Sequence, residues 1–142
     1  MVKQISVFLE NKEGRLADVT KTLGDHGISI RALCIADTTD FGILRLIVNN
    51  PDLAYKVLKE AEFAVSLKDV MAIAIQDQPG SLSKALALLQ GNNVVIEYMY
   101  AYLGRIENKA IVIMKVSEYD RAVSILNDGG FEVITAEDVY NF

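Results

Sequence analysis

The stretch Glu10-Asn11-Lys12-Glu13-Gly14-Arg15-Leu16 is answered 66 positions later by Gln76-Asp77-Gln78-Pro79-Gly80-Ser81-Leu82. The same offset pairs Leu23 with Leu89, Ile28 with Val94 and Ile30 with Ile96. Beyond that point the offset is 68, pairing Val48 with Val116, Ala54 with Ala122, Leu58 with Leu126 and Phe63 with Phe131. Two residues have been added to the second copy, between its second and third elements. The repeat is longer than the roughly 20–50 residue periods of solenoids. It is long enough to be a small domain. Two copies of one module are therefore expected, over residues 1–68 and 69–142.

Working outward from the repeated stretch, residues 3–10 alternate, with Ile5, Val7 and Leu9 on one face and Gln4, Ser6, Phe8 and Glu10 on the other. That is the period of a strand. From Arg15 the period becomes helical, through Leu16, Val19, Thr20 and Leu23, and His26-Gly27 ends the helix. Residues 28–36 and 41–48 read as a hairpin around a turn at 37–40. Asn50-Pro51 opens a second helix, with a capping side chain and proline at the first helical position. Phe63, Val65 and Leu67 make a closing strand.

The second copy repeats this order. It has strand 70–76, a helix from Ser81 to Gln90, strands 94–103 and 109–116, a helix from Ser117, and strand 131–136. Ser117 and Asp120 have the spacing of a capping box. The expected fold class is α+β: two ferredoxin-like βαββαβ modules in tandem, each with two helices on one face of an antiparallel sheet. The other face is left without a helix layer, which favours self-association, with a homodimer as the simplest form.

Composition narrows the function. The chain has 142 residues, 51% of them hydrophobic, a mean hydropathy of +0.25, a formal net charge of −5 and a pI near 4.8. An acidic chain with no basic run is a poor match for nucleic acid or an anionic membrane. No apolar stretch reaches the ~18 residues of a membrane span, and the start of the chain lacks a secretory h-region. A cytoplasmic address is expected, to which the lone Cys34 adds weak support.

Catalytic signatures are absent. One histidine and one cysteine exclude a Cys/His metal cluster, and no phosphate-binding glycine motif or nucleophile elbow occurs. No catalytic residue, metal or cofactor is expected. His26 reads as a helix C-terminal residue and Cys34 as a small strand hydrophobe. Tyr98, Tyr100 and Tyr102 share one face of a strand, with packing as the default role and pocket lining as the alternative.

The strand-to-helix loop that both copies keep has two readings. Gly14 and Gly80 allow close backbone approach, and the helix start offers unpaired N–H groups to a carboxylate. Asn11 or Asp77 can accept from an ammonium group. From spacing alone, a tight turn with local capping leads over the binding reading.

The residues around this loop resemble the ACT domain family. Asp77-Gln78-Pro79-Gly80-Ser81-Leu82 is similar to that family's N-x-P-G-x-L loop, and Asn11 to Leu16 matches it with Glu13 in place of proline. Gly27-Ile28-Ser29-Ile30 and Asn93-Val94-Val95-Ile96 are similar to its G-[IV]-N-I strand opening. The closing Ala54, Val57-Leu58, Phe63 and Ala122, Ile125-Leu126, Phe131 follow its later pattern. The resemblance covers both copies.

The resemblance implies binding of a small effector, most simply a free amino acid, where modules meet. It combines a loop of one module with the start of strand two of its neighbour. The implied loop contacts are Asn11, Glu13, Gly14, Arg15 and Leu16 in the first copy and Asp77, Gln78, Pro79, Gly80, Ser81 and Leu82 in the second, and the implied strand-two contacts are Ser29 and Ile30, and Val95 and Ile96. Glu13 against Pro79 and Ser29 against Val95 imply an unequal pair of sites. Two modules account for the whole length, so a stand-alone sensor acting on a partner enzyme or regulator is expected, and not an enzyme. The competing readings are an acylphosphatase-like hydrolase using Arg15 and a ligand-free dimerisation module.

Overall fold

Alternation in the first strand decides which way each module faces. In this computed structural model, which describes residues 1–10, 13–37 and 41–142, β1 (Val2–Glu10) turns Ile5, Val7 and Leu9 into a core beneath two helices. After β1 come α1 (Arg15–Asp25), β2 (Ile30–Asp37), β3 (Phe41–Val48), α2 (Pro51–Glu60) and β4 (Ala64–Gln76). The second half holds α3 (Ser81–Gly91), β5 (Ile96–Ile106), β6 (Lys109–Val116), α4 (Tyr119–Asp128), β7 (Glu132–Ile134) and α5 (Ala136–Asn141). The chain is α+β with antiparallel pairing throughout, and βαββαβ occurs twice.

The strands expected at 63–67 and 70–76 are a single thirteen-residue strand, β4. Its first half pairs with β1, from Val2↔Val70 to Phe8↔Ala64. Its second half pairs with β6, from Met71↔Met114, and with β7 through Ile73↔Val133. Position 68/69, the expected module boundary, lies inside this strand. The sheet order is β1-β3-β2-β5-β6-β4-β7 with β1 also on β4, so six strands close a circuit. A bridge at Ala32↔Tyr102 joins β2 to β5 on the far side.

Closing the circuit sets the two helix-free faces against each other. Each module keeps a core between sheet and helices: Val19, Leu23, Val57 and Leu58 over Ile5, Val7 and Leu46, and Ala85, Leu89, Ala122 and Leu126 over Met71, Ile73 and Met114. A third core, with Ala32, Ile47, Val70, Ala72, Tyr100, Ile111 and Ile113, lies between the sheets. The face that suggested self-association is thus covered by the other half of the same chain. Gln4 and Ser6, read as the polar side of β1, are buried there.

The Gln4 amide is bonded across the interface, and Ser6 accepts from it. Tyr100 Oη donates to Gln4 Oε1 at 2.6 Å, and Gln4 Nε2 donates to Ser6 Oγ at 3.0 Å and to Tyr98 Oη at 2.9 Å. The short first distance suits an O–H···O bond. Burial, chiefly, pushes the Tyr100 hydroxyl well above the usual tyrosine range, so it remains a donor.

Two ends differ from the expectation. Strand 131–136 shortens to β7, and α5 begins at Ala136 with Thr135 Oγ1 accepting from Asp138 N. α5 puts Val139, fully buried, into the inter-sheet core, and Tyr140 Oη accepts from Lys3 N at 2.7 Å. Ser117 does not cap α4. Its Oγ accepts from Val95 N at 3.0 Å, as Asn49 Oδ1 accepts from Ser29 N at 2.9 Å in the first copy. Glu118 stands at the cap without a side-chain capping bond, whereas Asn50 caps α2 through Leu53 N as expected.

Because β4 belongs to both halves, neither can lose its sheet alone. Leu23→Ala and Leu89→Ala, at equivalent fully buried positions, should each cost about 2–5 kcal/mol. Both should lower the midpoint of one shared urea transition followed by circular dichroism and tyrosine fluorescence. Two separable transitions would contradict this coupling.

Candidate functional site

Each repeated loop is a glycine-started helix N-terminus. Gly14 (φ 84°) and Gly80 (φ 88°) precede α1 and α3 in the left-handed region, and neither helix has a side-chain cap among the described residues. A Cβ on either glycine would meet nothing within 4 Å. The requirement is therefore the dihedral angle and not crowding. In the second loop Ser81 N donates to Gln78 O and Lys84 N to Gly80 O. These bonds leave the Leu82 and Ser83 amides at the positive end of α3 without a side-chain cap.

Within a module this loop and the start of strand two lie at opposite ends of the helix that connects them. The two halves bring them together crosswise. Antiparallel pairing of β2 with β5 puts the start of β2 beside the end of β5. Arg105, at that end of β5, pairs with Asp77 Oδ2 at 3.0 Å, and Asp77 N donates to Asn108 O at 3.2 Å. A cleft of about 410 Å3 lies there, lined by Ile30, Arg31, Tyr102, Leu103, Gly104, Arg105, Ile106 and Phe142. Asp77 of loop two and Ile30 of strand two thus reach one region through Arg105.

The two inserted residues of the second copy shape this cleft. Four steps along β5, from Ala101 to Arg105, span only two along β6, from Val112 to Ala110. The resulting bulge contains Tyr102, Leu103 and Gly104. Bulges re-aim side chains and concentrate beside functional sites.

Polar groups here lack partners. Tyr102 Oη and Arg31 Nε are closed off from solvent without a hydrogen bond among the described residues, and there Arg31 otherwise reaches Tyr140 O, at 3.4 Å. Burial raises the Tyr102 hydroxyl above its ordinary range, against an opposing effect of Arg31, so it stays protonated. The ring of Phe142 stands edge-on to Tyr102 at 6.4 Å. An unmade buried hydrogen bond costs about 1–3 kcal/mol. The Asp77–Arg105 pair has side chains 48% and 73% exposed, so it contributes only about 0–1 kcal/mol and exchanges partners readily.

The first loop is built differently. Glu13, Gly14, Arg15 and Leu16 line a cleft of about 360 Å3 with Leu9, Glu10, Ile35, Asp37 and Gly42. Three carboxylates face one guanidinium there. Arg15 lies over the Phe63 ring at 4.4 Å, with Nε buried and without a partner among the described residues. Asn11 lies outside the described residues. Ser29 and Val95 are exposed, and both are held by backbone bonds to Asn49 and Ser117. Val95 and Ile96 line a separate groove with Leu86, Gln90 and Asn93. Gln78 and Pro79 are exposed, and Ser81 and Leu82 half-buried.

Arg31, Tyr102, Arg105 and Phe142 were not among the expected contacts. The offset change from 66 to 68 marks β5, and with it Tyr102 and Arg105, as the place where the copies diverge; Arg31 and Phe142 carried no such signal.

A family model described as an ACT domain pair matches residues 1–142. The chain belongs to the ACT domain pair family. Among solved structures, this ACT domain pair is similar to protein BT0572 from Bacteroides thetaiotaomicron, with 44% identity, a TM-score of 0.92, and coverage of 99% of this chain and 96% of that one. It is also similar to the ligand-free regulatory subunit of aspartate kinase from Thermus thermophilus, at 17% identity and TM-score 0.66 over 89% of this chain and 91% of that one. The corresponding subunit from Thermus flavus gives 16% identity and TM-score 0.61 over 90% and 92%. At those last identities the likeness is one of fold. No match was found among functionally curated proteins.

The glycine dihedrals give a direct test of the ACT loop. Gly80→Ala should destabilise the protein by about 1–2 kcal/mol, the cost of a left-handed non-glycine residue, read as a lowered urea midpoint. Gly91→Ala, at the end of α3 where a Cβ also meets nothing, should not share that loss.

Proposed function

We propose that this ACT domain pair is a regulatory sensor for a free α-amino acid, bound where the second loop meets the start of β2. One observation carries the reading: Tyr102 Oη and Arg31 Nε are buried without partners beside a cleft that also holds Arg105. A ligand carboxylate would satisfy both donors and accept from Arg105. Asp77, released from its exposed pair, would receive the ammonium group. The Leu82 and Ser83 amides face the same charge logic at the start of α3. Phe142, edge-on to Tyr102, is the side chain whose displacement would open the buried donors.

The reading keeps Asp77, Gln78, Pro79, Gly80, Ser81 and Leu82 with Ser29 and Ile30 as the stronger site. Asn11, Glu13, Gly14, Arg15 and Leu16 are kept as the weaker one, since acidic side chains line the first-loop cleft and Val95 and Ile96 lie on a separate groove. We take 1–68 and 69–142 as the two modules and the cytoplasm as the compartment. Binding would change the population of inter-module arrangements, which a partner enzyme or regulator reads. The fold likeness to regulatory subunits of aspartate kinase supports such a role. No catalytic role is proposed, and Arg15, stacked on Phe63, is poorly placed for an acylphosphatase-like reaction. For a homodimer, support now comes from exposed apolar side chains such as Val95 and Leu103, 60% and 63% exposed.

Titration calorimetry across the standard amino acids tests the reading. At least one should bind saturably, and Arg31→Gln should weaken it by about tenfold or more, the loss of a charge-assisted bond. Arg15→Gln should have little effect. Absence of binding by every amino acid, or equal binding by Arg31→Gln, would overturn the proposal.

A further inference from the structure

A further cleft, away from both repeated loops, opens between the two sheets at the end opposite α5. It measures about 400 Å3 and takes Ser6, Arg45, Ser66 and Lys68 from the first module and Glu97, Tyr98 and Lys115 from the second. The strand registers dictate this grouping. Ser6 lies opposite Ser66 on β4 and Arg45 on β3, and Tyr98 lies opposite Lys115 on β6.

Its charge is at odds with the molecule's. The chain carries a net charge of −5, yet this cleft collects three cationic side chains against one carboxylate. None of Arg45, Lys68 and Lys115 has a carboxylate partner among the described residues. Arg45 Cζ lies 3.7 Å from the centre of the Tyr98 ring, a cation–π contact that holds the guanidinium at the cleft, and the guanidinium N–H groups have no acceptor among the described residues. Three unpaired like charges in one cleft repel one another and favour an anion between them.

The buried network adds donors of the right kind. Hydrogen bonds run from Tyr100 to Gln4 and from Gln4 Nε2 to Ser6 Oγ and Tyr98 Oη. Ser6 and Tyr98 therefore accept from glutamine, and each keeps its own hydroxyl hydrogen. No acceptor for either hydrogen is found among the described residues. Ser6 is 6% exposed, so its donor is held rigidly at the floor of the cleft.

We propose that this inter-sheet cleft is a binding site for a small dianion, a phosphate ester or a dicarboxylate, held by Arg45, Lys68 and Lys115 with Ser6 and Tyr98 as hydroxyl donors. It is separate from the amino-acid site. Because the contacts come from both sheets, a bound dianion clasps the two modules together. Ligand at this site and ligand at the loop-two site then act on the same inter-module geometry, and linkage makes their effects mutual.

The test uses the full chain. Sodium phosphate and sodium succinate are titrated separately at ionic strength held constant with chloride, and binding is read by thermal shift and calorimetry. At least one should give a saturable rise in melting temperature. Saturation by phosphate alone assigns a phosphate ester, and saturation by succinate alone a dicarboxylate. Lys68→Gln/Lys115→Gln should weaken binding by about tenfold or more, and Glu97→Gln should tighten it. Arg31→Gln, which removes the amino-acid contact, should leave it unchanged, so the two sites fail independently. The proposal is overturned if neither dianion saturates beyond the chloride control, or if the double lysine variant binds as tightly as the parent.

Discussion

Everything in this molecule hangs on β4. A strand thirteen residues long cannot serve one four-stranded module only. Its first half completes the sheet of one copy and its second half supplies the central strand of the other. With no linker between them, the copies cannot drift apart, and their helix-free faces have only each other to pack against. The bridge from β2 to β5 closes the arrangement. Around that closed circuit the apolar side chains form one continuous inter-sheet core, with Gln4 bonded across it. A buried amide bonded to partners from the opposite sheet makes register across the interface costly to change.

The same constraint explains why the candidate site is where it is. A loop and a strand start that lie a helix length apart within one module become neighbours when the modules pack with crossed edges. The ion pair between Asp77 and Arg105 marks the junction. The two copies then differ through the bulge in β5, which holds Tyr102 against Arg31 and has no counterpart in β2 at that level. Unequal charge follows the unequal backbone: guanidinium groups gather at one cleft and carboxylates at the other.

Much of this was legible in the residues. Alternation at Ile5, Val7 and Leu9, helical spacing at Leu16, Val19 and Leu23, and the Asn50-Pro51 start located elements whose local signals agree with their packing. The βαββαβ order followed from them, and the family from the loop, strand-opening and closing motifs. What stayed hidden is tertiary. The face without a helix layer indicated a packed surface, but periodicity does not say whether the covering surface belongs to another chain. Ser117 had cap spacing, yet its hydroxyl is taken by Val95 N, a contact set by strand pairing and not by local sequence. Helix α5 carried a local signal, Thr135 before Asp138 with Val139 and Tyr140 on one side, overshadowed by the strand-like 131–134. Arg31 and Arg105 had no motif at all; only the fold places them together.

The central claim is that an amino acid binds between the second loop and the start of β2. The most direct measurement is an amino-acid titration followed by backbone amide NMR of the full chain. The account predicts saturable shifts concentrated at Ile30, Arg31, Asp77, Gly80, Gly104 and Arg105, with much smaller changes at Gly14 and Arg15. Saturable shifts centred on the first loop with the second unmoved, or no shifts with any amino acid, would contradict it.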